Sequence, residues 1–325
     1  MRPLIDETVK YEYLLRVNRA IDYVHAHYAE DLNLTMLAKI ACFSPFHFHR
    51  LFRLVTGETV NDFVRRTRLE KAVTKLSINQ NQSITEIALE CGFSSSQNFA
   101  RSFKAYHGVN PSFSREQYNW ETFKTLIRNL DSVERHHLSK RGALIYDQFS
   151  RNLQQPVQNI LNMKTPMAVT VTQVPSYRVA YVRCQGPYNA ETSAPAWNRL
   201  LQWANPKGLV NENNLPIGIH WSKQGTVPED KLIFDACIPL SEELKVGNEI
   251  NTQYLPGGLC AIYHCEIAIN EFYDAWMGLL LNWLPSCDYQ PDERPAFEIF
   301  YNDPETHPLK HCIVDLCLPV KPLYE

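Results

Sequence analysis

Apolar and polar positions alternate with one period in the first half of the chain and another in the second. In the first half, Phe48, Leu51, Phe52 and Val55 fall at i, i+3, i+4 and i+7, the spacing of one helix face. Phe99 and Phe103 repeat that face further along. The other side of the first helix carries His49, Arg50 and Arg53, and that of the second carries Gln97, Asn98, Arg101 and Lys104. A short helical segment precedes each. Residues 37–44 align with residues 87–94 at an offset of 50, whereas Phe48, Arg50, Phe52, Arg53 and Gly57 match Phe99, Arg101, Phe103, Lys104 and Gly108 at 51. The repeated unit is therefore a short helix, a tight turn holding Cys42 or Gly92, a longer helix and a glycine stop, with one residue added in the second turn. Ser83-Ile84-Thr85-Glu86 reads as a capping box, and the first unit starts at Asn33 or Thr35. Ser44 before Pro45, and Ser94 or Ser95, are N-caps for the longer helices. Between the copies, 60–76 predicts one connecting helix. It has Phe63, Val64, Leu69, Ala72, Val73 and Leu76 on its apolar side, plus Arg65, Arg66, Arg68, Lys71 and Lys75.

The second half reads as short strands bounded by Pro and Gly. Strands are expected at 169–183, 216–222 and 232–239 with a helix at 194–204, then at 258–266, 295–301 and 311–319 with a helix at 271–284. This half also repeats: Trp203 and Trp283, Trp221 and Tyr301, Asp235 and Asp315, and Gly218 and Glu298 each lie 80 apart. The expected architecture is multidomain. An all-α tandem helix-turn-helix domain is followed by an α+β domain of two strand-helix-strand-strand repeats.

Length and charge support that division. The 325 residues suggest two domains. We place them at 10–120 and 165–325, joined over 121–164 by an amphipathic helix (Phe123, Leu126, Ile127, Leu130) and a polar connector. Residues 1–160 carry a net +5 and residues 161–325 a net −8, which fits a nucleic-acid module linked to something else. Nine scattered cysteines without a C-x-x-C pair suggest reduced thiols in a cytoplasmic protein. His47 and His49 lie two apart on a helix and face different sides, so no metal is expected there. No apolar run is long enough to span a membrane. No cofactor is expected, and no nucleophile–base pair marks a catalytic site.

Arginine can bond guanine edges in a fork and Asn or Gln can bond adenine, so the polar faces of the two longer helices suit a major groove. Two unrelated hairpins with solvated faces would look similar singly; the recurrence of small–Phe–Ser, Arg and Gly in both copies favours a pair of reading heads. In the second half, Glu298 sits mid-strand in Ala296-Phe297-Glu298-Ile299-Phe300, with Phe300 on its face. A carboxylate buried among aromatic rings is costly unless paired, and a lipophilic cation would pair with it. Tyr181, Trp197, Tyr263 and Trp276 are candidate walls. The alternative is an exposed edge carboxylate with the aromatic residues in the core.

Residues 14–118 resemble the DNA-binding domain of the AraC/XylS transcription regulators. The resemblance is carried by the stretch from Cys91-Gly92-Phe93-Ser94 to Gly108-Val109-Asn110-Pro111. It implies base-edge contacts from Phe46, His49 and Arg50 and from Ser96, Gln97 and Arg101, beside Asn98, with Arg53 and Lys104 on phosphates. Residues 168–320 resemble the GyrI-like effector-binding domain, through Val179-Ala180-Tyr181-Val182-Arg183, Gln185-Gly186-Pro187-Tyr188, Leu255-Pro256-Gly257-Gly258 and Arg294-Pro295-Ala296-Phe297-Glu298-Ile299-Phe300. That family implies a small-molecule pocket whose central carboxylate corresponds to Glu298. The expectation is a non-enzymatic, effector-modulated transcription regulator whose partners are double-stranded promoter DNA, a small molecule and RNA polymerase. The alternatives are a second half that hydrolyses small electrophiles with Glu298 as general base, or one that is vestigial.

Overall fold

The computed structural model describes residues 7–79, 81–117, 167–222 and 227–323. The chain divides into two compact units at Arg115, with Glu243–Gln253 grouped with the first. The expected connecting helix at 121–164 lies outside the described residues.

The first unit is helical: α1 (Glu7–His27), α2 (Leu34–Ile40), α3 (Pro45–Thr56), α4 (Val60–Ile78), α5 (Ile84–Glu90) and α6 (Ser96–His107), followed by α7 (Pro111–Gln117). The caps explain the boundaries. Asn33, Ser44, Ser83 and Ser95 each accept a backbone N–H from the first turn of α2, α3, α5 and α6, and Ser83 with Glu86 completes a capping box. Gly57 and Gly108 end α3 and α6 in the left-handed region. The two turns between paired helices have one geometry. Cys42 and Gly92 have φ of 55° and 79°, and Phe43 and Phe93 donate their N–H to Ala38 and Ala88 at 2.9 and 3.0 Å. At position 92 a Cβ would stand 2.6 Å from the Ala29 carbonyl oxygen, so glycine is required by packing as well as by φ.

Helix α4 serves both helix pairs. Phe63 meets Phe52 of α3 edge to face, with ring centroids 5.3 Å apart. Leu69, Ala72, Val73 and Leu76 pack with Ile87, Ala88, Phe93, Phe99 and Phe103 in one core cluster. The positive charges expected along α4 are largely committed internally. Arg66 is buried, bonding Glu58 at 2.8 Å and also pairing with Glu70. Burial pushes the Glu70 carboxyl up, against the pull of the Arg66 guanidinium. Arg68 donates to the carbonyl oxygens of Tyr28 and Glu30, both at 2.7 Å, and Lys75 pairs with Glu90 at 3.2 Å.

The second unit is built on an antiparallel sheet: β1 (Val169–Val174), β2 (Tyr177–Gln185), β3 (Ile217–His220), β4 (Ile233–Pro239), β5 (Asn251–Leu255), β6 (Gly258–Ile267), β7 (Tyr289–Pro291), β8 (Ala296–Phe300) and β9 (Cys312–Pro322). Its order is β1-β6-β9-β8-β3-β4-β2-β5, with β7 on β9. Read inward from its edges, β1-β6-β9-β8 mirrors β5-β2-β4-β3. The expected strand-helix-strand-strand pattern needs one correction. The strand expected at 169–183 breaks at Pro175-Ser176, and β1 leaves its own half to pair with β6. The second half has the corresponding separate strand, β5, before Pro256-Gly257. The helix expected at 271–284 is α-helical only over Phe272–Gly278, then widens into a π-helical turn at Leu279–Trp283. We label Ala190–Ala204 α8 and Phe272–Gly278 α9.

On one face of the sheet, two buried aspartates hold matching places. Asp235 receives both arms of Arg183 at 2.7 and 2.6 Å and the Trp221 indole N–H at 2.7 Å. Asp315 accepts the Tyr301 hydroxyl at 2.7 Å and lies 2.7 Å from His264 Nδ1.

Replacing Arg66 by Met leaves Glu58 and Glu70 facing each other in a buried position. The variant is expected to lose about 3–5 kcal/mol of unfolding free energy in urea titration. An unchanged midpoint and slope would show that α4 does not depend on this pair.

Candidate nucleic-acid interface and effector pocket

In the first unit the apolar stripe of each longer helix turns inward, so the polar stripe is what remains outside. Phe48, Phe52, Phe99 and Phe103 are fully buried. That leaves Arg50, Arg53 and Phe46 exposed on α3, with His49 half-buried, and Gln97, Arg101 and Lys104 exposed on α6, with Ser96 and Asn98 half-buried. Phe46 is 75 % exposed, an unusual state for a large ring, and the Arg50 guanidinium lies 6.0 Å from its centroid. Asn98 reaches back to the Ser94 hydroxyl at 3.5 Å. His107, at the end of α6, packs on Phe103 with centroids 4.4 Å apart. Burial lowers its pKa to about 4, so it adds no positive charge at neutral pH.

In the second unit, the residues that gather around Glu298 are set by register. β3 and β8 pair antiparallel, with Gly218 opposite Glu298 and His220 opposite Ala296. β4 places Phe234 beside His220, and β9 places Leu316 beside Glu298. Strand alternation then puts Gly218, His220, Phe234, Glu298, Phe300 and Leu316 on one face. Helix α8 packs on β2 and β4, and α9 contributes Ala275 and Trp276 to a cluster with Leu316, Tyr263 and Phe300.

Glu298 is 5 % exposed. Its Oε1 accepts the Trp276 indole N–H at 2.9 Å, and His220 Nε2 stands 3.1 Å from the same oxygen. Nε2 of His220 is within ion-pair distance of Oε1 but makes no well-aligned hydrogen bond. Among the described residues no donor reaches Oε2. It lies against Gly218, where a Cβ would stand 3.2 Å from Oε2 and 2.9 Å from the Phe234 ring. Gly218 thus leaves the space that the carboxylate and the ring occupy. Around this group, Phe300 meets Trp197 at 5.3 Å and stacks with Phe272 at 6.2 Å, while Trp197 meets Phe234 at 6.0 Å. His220 is framed by Tyr188 at 4.7 Å, Phe234 at 5.2 Å and Trp276 at 6.1 Å.

Of the six residues singled out in sequence, Glu298, Phe300, Trp197 and Trp276 converge. Tyr263 shares the face but stands two strands away, with Leu316 between it and Glu298. Tyr181 belongs to the other face: it pairs with Cys237, is 1 % exposed and packs with Ile217, Ile219 and Phe297. The edge-carboxylate alternative for Glu298 does not hold, since β8 is central and its side chain is buried. Sequence reasoning missed His220, Phe234, Phe272 and Tyr188. A signal existed for His220, which lies 80 residues before Phe300 and so at its counterpart in the repeat. Burial keeps nearby thiols protonated, raising Cys184 and Cys265 to about 12 and Cys312 to about 11. Among the described residues no cluster of His, Cys, Asp and Glu could hold a metal ion, and no helix is long and apolar enough to cross a membrane.

Comparison with known proteins follows the same division. Uncharacterized HTH-type transcriptional regulators of Staphylococcus aureus are 28% identical over 148 residues, covering 46% of this chain and 19% of theirs. The chain thus spans about a fifth of the length of those relatives. The transposon Tn10 TetD protein of Escherichia coli is 39% identical over 92 residues, 28% of this chain and 66% of that protein. Among solved structures, the C-terminal domain of AraT, a response regulator from Geobacillus stearothermophilus, is 28% identical and covers 32% of this chain and 86% of that one, with a TM-score of 0.31. The EcmrR C-terminal domain is 11% identical and covers 49% of this chain and 99% of that one, with a TM-score of 0.39. Family models match residues 37–117 as a helix-turn-helix domain and residues 167–321 as a GyrI-like small molecule binding domain. The chain therefore joins an AraC-type helix-turn-helix domain to a GyrI-like small molecule binding domain.

Proposed function

We propose that the protein is a sequence-specific DNA-binding transcription regulator whose output is modulated by a small lipophilic cation bound beside Glu298. The observation that carries the effector half is a central carboxylate, 5 % exposed and enclosed by aromatic rings, with one oxygen that no donor among the described residues reaches. A positive charge delivered in a greasy frame would satisfy that oxygen, and the rings would add cation–π attraction. In this reading the two halves of the sheet domain are copies of one unit, and the pocket lies at the β3–β8 pairing where they meet.

The DNA half of the proposal assigns base-edge contacts to Phe46, His49 and Arg50 on α3 and to Ser96, Gln97, Asn98 and Arg101 on α6. Arg53 and Lys104 hold phosphates. Residues 10–120 form the DNA-binding module, residues 165–325 the effector module, and residues 121–164 their connector. RNA polymerase is a further partner in this reading, and the cytoplasm is the place of action. We favour a sensor over a hydrolase for the second unit. The thiols near Glu298, Cys265 and Cys312, are held in the poorly nucleophilic protonated form, which leaves a covalent route without an activated thiol among the described residues.

Arg50→Ala and Arg101→Ala should each weaken binding to a specific promoter fragment by about 1–3 kcal/mol at fixed salt, read by fluorescence anisotropy. Unaltered affinity and sequence preference in either variant would remove that helix from the interface. For the pocket, tetraphenylphosphonium should quench the tryptophan fluorescence of the full chain with saturation. Glu298→Gln should weaken it by about tenfold or more, a loss of about 1.4 kcal/mol, while binding of neutral triphenylphosphine oxide stays within about twofold. Equal losses for the cation and the neutral compound would mean that Glu298 shapes the pocket without reading charge.

A further inference from the structure

A cation entering the pocket finds Glu298 already accompanied. His220 Nε2 stands 3.1 Å from Oε1, the oxygen that the Trp276 N–H also reaches. At that distance a bare nitrogen lone pair would repel the carboxylate, so the nitrogen facing Oε1 carries its proton. Nε2 is sealed from solvent and makes no well-aligned hydrogen bond. Few other groups can set its charge. Along the same row across the strands, His220 is followed by Phe234 and then Cys184, whose thiol burial has pushed up to about 12. The Tyr188 ring meets the imidazole edge to face, but its hydroxyl is turned to the Ser222 carbonyl oxygen at 2.7 Å. Asp235, the neighbour of Phe234 on β4, points to the opposite face and is held by Arg183. Glu191 and Arg199 of α8 and Asp274 of α9 are exposed. Among the described residues, Glu298 is the charged group that faces this imidazole.

We propose that His220 is a specificity-determining residue of the pocket, and that a lipophilic cation binds in exchange for a proton released from it. The inference rests on the effector reading above and deepens it. With an imidazolium beside Glu298, the pair is already neutral, and an incoming cation meets a like charge in a dry site. When the proton on Nδ1 leaves to solvent, the neutral ring keeps its Nε2–H on Oε1. The carboxylate's charge is then available to the ligand. The counterpart of His220 across the sheet midline is Phe300, which walls the same pocket and cannot titrate. One flank of Glu298 is therefore proton-sensitive and the other is not. A neutral ligand of the same shape gains nothing from the exchange, so the histidine sharpens discrimination by charge as pH rises.

The test uses the full chain and tetraphenylphosphonium, whose charge does not depend on pH. Between about pH 5.5 and 8, where imidazoles titrate, affinity should rise by up to about tenfold per pH unit and then level off. The sign follows from the exchange: binding releases a proton, so raising pH favours it. Calorimetry in buffers of differing ionisation enthalpy should show release approaching one proton per bound cation on the acid limb and none on the plateau. Triphenylphosphine oxide should show neither trend. His220→Gln, which keeps an amide donor, and His220→Phe, which copies position 300, should flatten the profile and bind the cation at the acid end as tightly as the unaltered protein does on its plateau. Their far-ultraviolet circular dichroism checks that both fold. Saturable but pH-independent binding with no proton release would overturn the exchange and leave the cation pocket standing. A slope retained in a folded His220→Gln protein would do the same. Absence of tetraphenylphosphonium binding at every pH would sink the cationic-effector reading itself, and this inference with it.

Discussion

The burial of one carboxylate in the middle of a sheet constrains the second unit more than any other interaction. A charged group placed there is costly unless its surroundings compensate it. The compensation is distributed over separate pieces of chain. Trp276 donates from α9, His220 approaches from β3, and Gly218 gives up its side chain so that the carboxylate and Phe234 can coexist. Each depends on register. A slip of one residue between β3 and β8 would bring Ile217 or Ile219 opposite Glu298 and turn its side chain to the far face. The two aspartate clusters on that far face hold the register of the flanking strands. Arg183 ties β2 to β4 through Asp235, and Tyr301 and His264 converge on β9 through Asp315.

The first unit meets a different requirement, that of holding two polar stripes at a fixed spacing. One long helix, α4, contributes to the packing of both helix pairs. The Arg66–Glu58–Glu70 cluster fastens it to the turn after α3, and Arg68 fastens it to the end of α1. The charge of α4 is thereby spent largely on architecture; its exposed Arg65 pairs with Asp62, and α3 and α6 present Arg50, Arg53 and Arg101 to a polyanion.

Local chemistry was the most legible part of the sequence. Caps at Ser44 and Ser83, stops at Gly57 and Gly108, and the inward stripe of Phe48, Phe52, Phe99 and Phe103 follow from spacing alone, because each is decided within a few residues. Glu298 was legible for a similar reason, as a carboxylate inside an apolar run. Non-local pairing was not legible. Tyr181 and Tyr263 were both candidate walls, yet which face a strand residue takes depends on partners more than fifty residues away. The departure of β1 to the opposite half was hidden in the same way, since Pro175 announces a break and not the strand that will be joined. Arg66 shows a further limit: an arginine on a basic helix reads as surface until its two glutamates are seen to surround it.

Gly218 and Glu298 occupy matching places in the two halves, and they face each other across the sheet's midline. A faithful duplication would have set two identical side chains against one another there. Two glutamates would have repelled, and two glycines would have left nothing to read. The glycine–glutamate pair makes the two halves unlike at the point where side chains from both would compete for the same volume. The consequence for the proposed effector is one of stoichiometry and polarity: the midline of the sheet carries one carboxylate and not two, so a charged guest bound there would be single and held in one orientation.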